Sequence, residues 1–143
     1  MRHNNTGFAV LLAAFLTAIL IAAAAPNHLQ AQSTTLIASI PFHFYVQAEK
    51  LPPGDYYVRR IGDAIQVSDR EGHVAAVMTL PAAVQRMNSG GRLVFNVYED
   101  SYFLSLVQWG EMGSARALVR SSLEAELARK AAAKQTDIAG VKR

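Results

Sequence analysis

A mainly β domain with one helix near its end is the fold class this sequence predicts, and three observations predict it. Short runs of alternating apolar and polar residues recur between Leu36 and Trp109, turn residues separate them at close intervals, and a stretch rich in Ala, Leu, Glu, Arg and Lys begins only after Gly113. About six strands linked mostly by hairpins form a sheet that must curl into a compact antiparallel barrel or fold into a sandwich. A C-terminal helix is expected to cover one opening, and a signal-peptide helix to precede the domain.

From Leu36 to Val46 the residues Ile40, Phe42, Phe44 and Val46 fall on one face, with Pro41, His43 and Tyr45 on the other. Pro41 cannot donate to a ladder and marks an edge strand or a strand entry. Leu51-Pro52-Pro53-Gly54-Asp55 makes a turn before a strand over Tyr56 to Ile61. Gly62-Asp63 joins that strand to Ala64–Ser68 as a tight hairpin, and Asp69-Arg70-Glu71-Gly72 repeats the device before Val74 to Leu80. Pro81 to Gly91 breaks the pattern and ends in the loop residues Asn88-Ser89-Gly90-Gly91. Arg92 to Tyr98 and Tyr102 to Trp109 form another hairpin around Glu99-Asp100-Ser101. In the helix that follows, Ser121 and Glu124 match a capping box, Leu123 and Leu127 form a narrow apolar stripe, and Glu126 faces Lys130. Residues 131–143 carry no apolar face and are expected to be a basic, disordered tail.

The first 31 residues run from a polar start carrying Arg2 into an uncharged apolar stretch, Phe8 to Ala25, and then into a polar segment. That is the layout of a secretory signal peptide, although the stretch is longer than the roughly 7 to 15 residues of a typical signal core and near the roughly 17 to 25 of a membrane span. Cleavage after Ala25 would leave Pro26 beyond the scissile bond, whereas Leu29-Gln30-Ala31 followed by Gln32 avoids it. The expected organisation is therefore a signal peptide over 1–31, a single β domain with its helix over 32–130, and the tail. An uncleaved segment 8–25 would instead anchor the domain in the inner membrane. Either way the domain is expected outside the cytoplasm, secreted or periplasmic, and it has no second apolar run of spanning length.

Only Arg2 of the 14 Lys and Arg lies in the expected signal, and all 11 Asp and Glu lie beyond it, so the domain is close to neutral. Five cations, Arg129, Lys130, Lys134, Lys142 and Arg143, gather at the C-terminus, and this basic tail offers no argument for nucleic acid. The chain has no cysteine, which excludes disulfides, thiolate nucleophiles and cysteine metal sites and suits a bacterial periplasm or cell exterior.

Ile40-Pro41-Phe42-x-Phe44, Leu51-Pro52-x-Gly54-x-Tyr56-x-Val58-Arg59, Leu93-Val94-Phe95-Asn96-x-Tyr98, Tyr102-Phe103-Leu104 and the Arg-, Glu- and Leu-containing helix together resemble a family of small uncharacterised secreted proteins of environmental bacteria. The resemblance covers nearly all of the chain beyond the signal. It implies an exported single β domain with a short C-terminal helix and no assigned activity.

Candidate chemistry is sparse. Asp69, Glu71 and His73 could be drawn as metal ligands, but they flank a Gly72 turn where polar residues are needed in any case, so no metal site is assigned. His43 lies opposite the Phe42 and Phe44 stripe. No Gly-x-Ser-x-Gly elbow occurs, Ser105 and Ser121 have structural places, and Glu99-Asp100 sits at a hairpin tip unsuited to paired-carboxylate catalysis. No catalytic residue and no cofactor are expected. Aromatic residues are spread over several strands, and an outward subset flanked by arginine would make a contact platform: Tyr57, Arg59, Tyr98, Tyr102 and Trp109 are the candidates. The sequence thus points to a non-catalytic exported module that contacts a protein or envelope component. The alternative is a carrier of a small apolar ligand or carbohydrate, whose cavity Phe42, Phe44, Phe95 and Leu104 would line.

Overall fold

Ten strands and one helix follow one another in chain order: β1 (Thr35–Ile40), β2 (Phe44–Val46), β3 (Glu49–Leu51), β4 (Gly54–Ile61), β5 (Ala64–Ser68), β6 (Val74–Ala82), β7 (Gly91–Tyr98), β8 (Ser101–Trp109), β9 (Ser114–Leu118), α1 (Ser122–Lys130) and β10 (Lys134–Lys142). The structure is a computed structural model that describes residues 35–84, 90–110 and 114–142, all within one unit, Ser33–Arg143. The expected signal segment lies outside the described residues. Among the described residues no helix is long and apolar enough to cross a membrane.

The strands run in the order β3-β2-β8-β7-β10-β1-β4-β5-β6-β9, and β9 also pairs with β8, which closes an eight-stranded antiparallel barrel with the β2–β3 hairpin attached outside the ring. β2 lies parallel to the first half of β8, pairing Phe44 with Tyr102 and Tyr45 with Phe103. β9 pairs with the second half, from Leu106 to Trp109. β8 changes neighbour where one extra residue is inserted: Phe95 faces Leu104 and Val94 faces Leu106, so Ser105 bulges, and its Oγ donates to the Val94 carbonyl at 3.0 Å. The hairpins form where the turn residues demand them. Ile61 pairs with Ala64 across Gly62-Asp63, with Gly62 at a φ of 61°.

The pleat sorts the side chains. Tyr56 and Val58 on β4, Ile65 and Val67 on β5, and Leu93 and Phe95 on β7 point into the barrel. Phe44 stands edge-on to Tyr56 at 5.0 Å and to Phe95 at 5.6 Å between ring centres, and Phe42 stands edge-on to Phe95 at 5.3 Å. At the opposite side of the core Leu36 sits where Gly91 of β7 pairs with Gly140 of β10. A Cβ at either glycine would come within 2.6 Å of Leu36 Cδ1, so the leucine takes space that only a pair of glycines leaves open.

Several expectations change. The barrel replaces the open choice between barrel and sandwich, and about six strands become eight in the ring plus a hairpin. The long first strand is interrupted at Pro41–His43, because the proline cannot continue the ladder with β4 and the chain then turns to a new partner, β8. Ser114–Leu118, read as the start of the helical stretch, is β9. Residues 131–143, expected to be a disordered tail, contain β10, which pairs with β7 from Lys134 to Gly140 and with β1 at Leu36 and Ile37. Its inward residues Thr136, Ile138 and Gly140 are too few and too small to read as an apolar face. Paired on both sides, the strand is held by backbone hydrogen bonds that leave no trace in the side-chain pattern.

α1 starts as expected, with Ser121 Oγ accepting from the Glu124 N–H at 3.1 Å. It packs on the outer wall at β7 instead of covering an opening. Leu123 is 41% exposed, and the buried residue of the helix is Glu124. Its Oε1 accepts from Asn96 Nδ2 at 2.8 Å and from the Tyr98 hydroxyl at 3.3 Å, and Asn96 Oδ1 accepts from Gln135 Nε2 at 3.4 Å. The carboxylate that a capping box would turn back to the cap instead ties the helix to β7 and, through Asn96, to β10.

Phe44→Ala is expected to cost about 3–5 kcal/mol in urea denaturation, since the ring is fully buried against two aromatic neighbours, Tyr56 and Phe95. Removal of residues 134–143 is expected to abolish cooperative unfolding, because β1 and β7 would then face each other across an empty strand position. Retention of a sharp transition in that truncation would show that β10 is dispensable.

Candidate functional site

The five candidate contact residues are not brought together. Tyr57 and Arg59 share the outer face of β4, opposite the inward Tyr56 and Val58, and Arg59 is exposed. Tyr98 and Trp109 are not available for contact. Tyr98 is 1% exposed beneath α1, edge-on to Phe103 at 5.9 Å, and burial raises its pKa, with the Glu124 charge adding to the effect. Trp109 is 4% exposed and belongs to the barrel core. Tyr102 is half-buried and lies flat on Phe42 at 3.9 Å, occupied by a core neighbour. The aromatic pattern alone could not separate these cases, because a buried ring with a satisfied hydroxyl and an exposed ring have the same sequence signature.

The β5–β6 turn concentrates polar groups. Asp69 Oδ1 accepts from the N–H groups of Glu71, Gly72 and His73, each at 2.9 Å, and Oδ2 lies 2.7 Å from His73 Nδ1. Burial acts to raise the Asp69 pKa, but the hydrogen bonds from His73 and Glu71 and the charge of His73 outweigh it and hold the carboxyl below its ordinary range. The possible ligand atoms of Asp69, Glu71 and His73 lie within 4.8 Å of one another. Both Asp69 oxygens are nonetheless engaged in shaping the turn around Gly72, whose φ is 100°, together with the backbone bond from the Asp69 N–H to the His73 carbonyl at 3.1 Å. A cleft of about 150 Å³ lies beside it, bounded by Pro53, Gly54, Asp55, Asp69, Arg70 and Glu71. Arg70 Nε donates to the Tyr57 hydroxyl at 3.0 Å, and Tyr56 beneath donates to the Pro52 carbonyl at 2.7 Å. Burial first, then the charges of Asp69 and Glu71, push the Tyr56 pKa up to about 12.

A second polar group, buried at the other end of β6, is also structural. Arg116 Nε donates to Thr79 Oγ1 at 2.8 Å, and one of its terminal nitrogens donates to the Thr79 carbonyl, the Asp63 carbonyl and Asp63 Oδ1 at 2.9 to 3.1 Å. The guanidinium thus clamps the β4–β5 turn to β6 and β9.

What remains unengaged is apolar. β6 turns Val74, Ala76, Met78 and Leu80 outward, and all four are exposed, while its inward side carries Ala75, Val77 and Thr79. Ladder pairs extend this outer face from Met78 through Ala64 to Ile61, and from Leu80 to Ala117. Tyr57 and Arg59 lie on the same outer face of the β4–β5–β6 sheet. Five of the large apolar side chains exposed among the described residues, Ile61, Val74, Met78, Leu80 and Val119, surround this one region, with Met78 at 66% exposure. The signal for it was in the sequence: Val74 to Leu80 is a nearly continuous apolar run, the pattern of a strand covered on both faces, not of one that meets water.

No family model, curated protein or solved structure matches this chain.

Two titrations should bracket the stability of the fold. Asp69 has its pKa lowered by folding, so its contribution is present above about pH 4 and is lost as pH falls through the lower folded value. Tyr56 has its pKa raised, so stability is retained below about pH 10 and declines as pH climbs toward 12. Urea midpoints measured against pH should fall at both ends. Tyr56→Phe should flatten the alkaline limb and Asp69→Asn the acid one; unchanged limbs in these variants would assign the pH dependence to other groups.

Proposed function

We propose that this protein is an exported, non-catalytic β-barrel module that works by contact with another protein through the outer face of β4, β5 and β6. The observation that carries the reading is the cluster of Ile61, Val74, Met78, Leu80 and Val119 on one side of a barrel whose buried Glu124 and Arg116 are spent on its own helix and turns. Tyr57 and Arg59 adjoin the cluster, and no Lys, Asp or Glu points outward from β5 or β6. Met, Tyr and Arg around an apolar centre without acids or lysines is the composition of a protein-contact surface. Export is supported by the charge-free Phe8 to Ala25 stretch, by Ala31 before Gln32 and by the lack of cysteine, all read from the sequence.

Packing inside the barrel favours this reading over a carrier. Phe42, Phe44 and Phe95, the residues that would line a ligand cavity, pack edge-to-face against one another and against Tyr56. The cleft described above lies at a turn and is bounded by polar and charged residues, a poor match for an apolar ligand.

A photoreactive amino acid at position 78, in the protein produced by an exporting bacterium, is expected to yield a discrete cross-linked adduct. The same residue at Asp137, exposed on β10, is expected to yield none. Absence of an adduct at 78, or a hydrolytic activity that one polar substitution removes, would refute the reading.

A further inference from the structure

The apolar patch around β6 is chemically inert except at one atom. Ile61, Val74, Leu80 and Val119 end in hydrocarbon, whereas Met78, at 66% the most exposed of the five, carries a thioether. The chain has no cysteine, so its oxidisable sulfurs belong to four methionines, of which Met1, Met87 and Met112 lie outside the described residues. Trp109, the single tryptophan, is 4% exposed in the core. An oxygen-transferring oxidant that reaches the patch therefore meets one reactive group there.

The place of that sulfur makes its oxidation consequential. Met78 stands outward on β6 with Ala64 opposite it across the β5 ladder and Ala76 and Leu80 next along its own face. Thr79, its neighbour in the chain, is buried, and its hydroxyl donates to the Asp63 carbonyl and accepts from Arg116 Nε. The nearest outward amide on β5, that of Gln66, faces Ala76. No hydrogen-bond donor thus stands beside the sulfur on its own face of the strand or opposite it in the ladder. Against a partner the thioether fits as a flexible apolar chain that adapts to the surface it meets. A sulfoxide sets an S–O dipole in the middle of the patch with no donor to satisfy its oxygen, and covering an unpaired polar group is costly.

We propose that Met78 is an oxidation site that switches this face, which docks when the sulfur is a thioether and does not when it is a sulfoxide. The inference rests on the contact reading above and adds its regulation. The oxidant is a hydroperoxide, of which hydrogen peroxide is the simplest. The sulfur attacks one peroxide oxygen, the S–O bond forms as the O–O bond breaks, and the departing oxygen leaves as water with both peroxide protons. Sulfur gives up two electrons and the peroxide takes them. Export as proposed sets the face outside the reducing cytoplasm. A docked partner covers the sulfur, so the reaction takes the free molecule, and reduction of the sulfoxide restores the thioether.

A photoreactive amino acid in place of Leu80 reads the contact and leaves Met78 intact, in the full chain produced by an exporting bacterium. Hydrogen peroxide added before irradiation is expected to add one oxygen to Met78, read by peptide mass, and to lower the adduct yield roughly tenfold, the effect of one covered polar group left unpaired. In Met78→Leu the yield after peroxide, divided by the yield before it, is expected to stay near one whatever the variant's own yield, which separates this sulfur from any oxidised on the partner. The urea midpoint should not move with Met78 oxidation, because the side chain points away from the core. A midpoint that falls on oxidation of the wild type but not of Met78→Leu would make the effect one of stability and overturn the switch. Full conversion of Met78 with an undiminished adduct would overturn it too and leave the contact reading standing, as would a Met78 that stays reduced while free methionine in the same sample is oxidised. Absence of any adduct at 78 and at 80 in untreated cells would overturn the contact reading and the switch with it.

Discussion

Closure of the barrel depends on one seam, where β10 lies between β1 and β7 and Leu36 is seated on the Gly91–Gly140 pair. The other pairings in the ring join strands next to each other in the chain or separated by one hairpin, β1 with β4 past β2–β3 and β6 with β9 past β7–β8. Only the β1–β10–β7 seam connects the first described strand to the last. Both glycines must be glycine because the leucine side chain stands where their Cβ atoms would be, and the leucine must be large because it fills the space between three strands at the end of the core. The sheet curls because this junction draws its two ends together.

The outer wall divides into a covered half and a bare half. Over β7 and β8 a ladder of side chains, Lys50 over the Tyr45 ring, Tyr45 flat on Phe103 and Phe103 edge-on to Tyr98, leads to the buried carboxylate of Glu124. The β2–β3 hairpin and α1 are held by it, and what would be an exposed aromatic stripe becomes a second, external core. Over β5 and β6 nothing among the described residues does the same, although the outward residues of β6 are as apolar. This asymmetry leaves one bare apolar side, the one proposed for contact, and the Arg116 clamp fixes the β4–β5 turn against β6 there.

Much of this was legible from side-chain pattern. The strands from Tyr56 to Leu80 and from Arg92 to Trp109 lie where alternation and turn residues place them, because each has one buried face and a tight turn at its end. Ser121 was legible as a cap because its oxygen meets a local need. What pattern could not supply was held by other forces. β10 offers Thr136, Ile138 and Gly140 to the interior, so neighbouring backbones stabilise it more than its own side chains do. Glu124 looked like half of a capping box, but a carboxylate is drawn more strongly to buried amide and phenol donors than to a solvated cap. The candidate contact site was half legible: Tyr57 and Arg59 lie on the open face, while Tyr98 and Trp109 carry the same residue types into the interior. The β6 patch was present as an unbroken apolar run, which reads first as burial.

The position of β10 in the ring also governs when the fold can form. Loop closure between β1 and β10 spans nearly the whole domain, and such non-local pairing is slow and comes late. A chain synthesised from its N-terminus presents β1 through β9 before β10 exists, and until then the sheet has two unsatisfied margins and no sealed core. The nascent chain therefore stays open until its final strand is free. For a chain proposed to pass through a membrane channel as an extended thread, the timing is useful, since the segment that locks the barrel emerges from the ribosome, and crosses, after the nine strands that it completes.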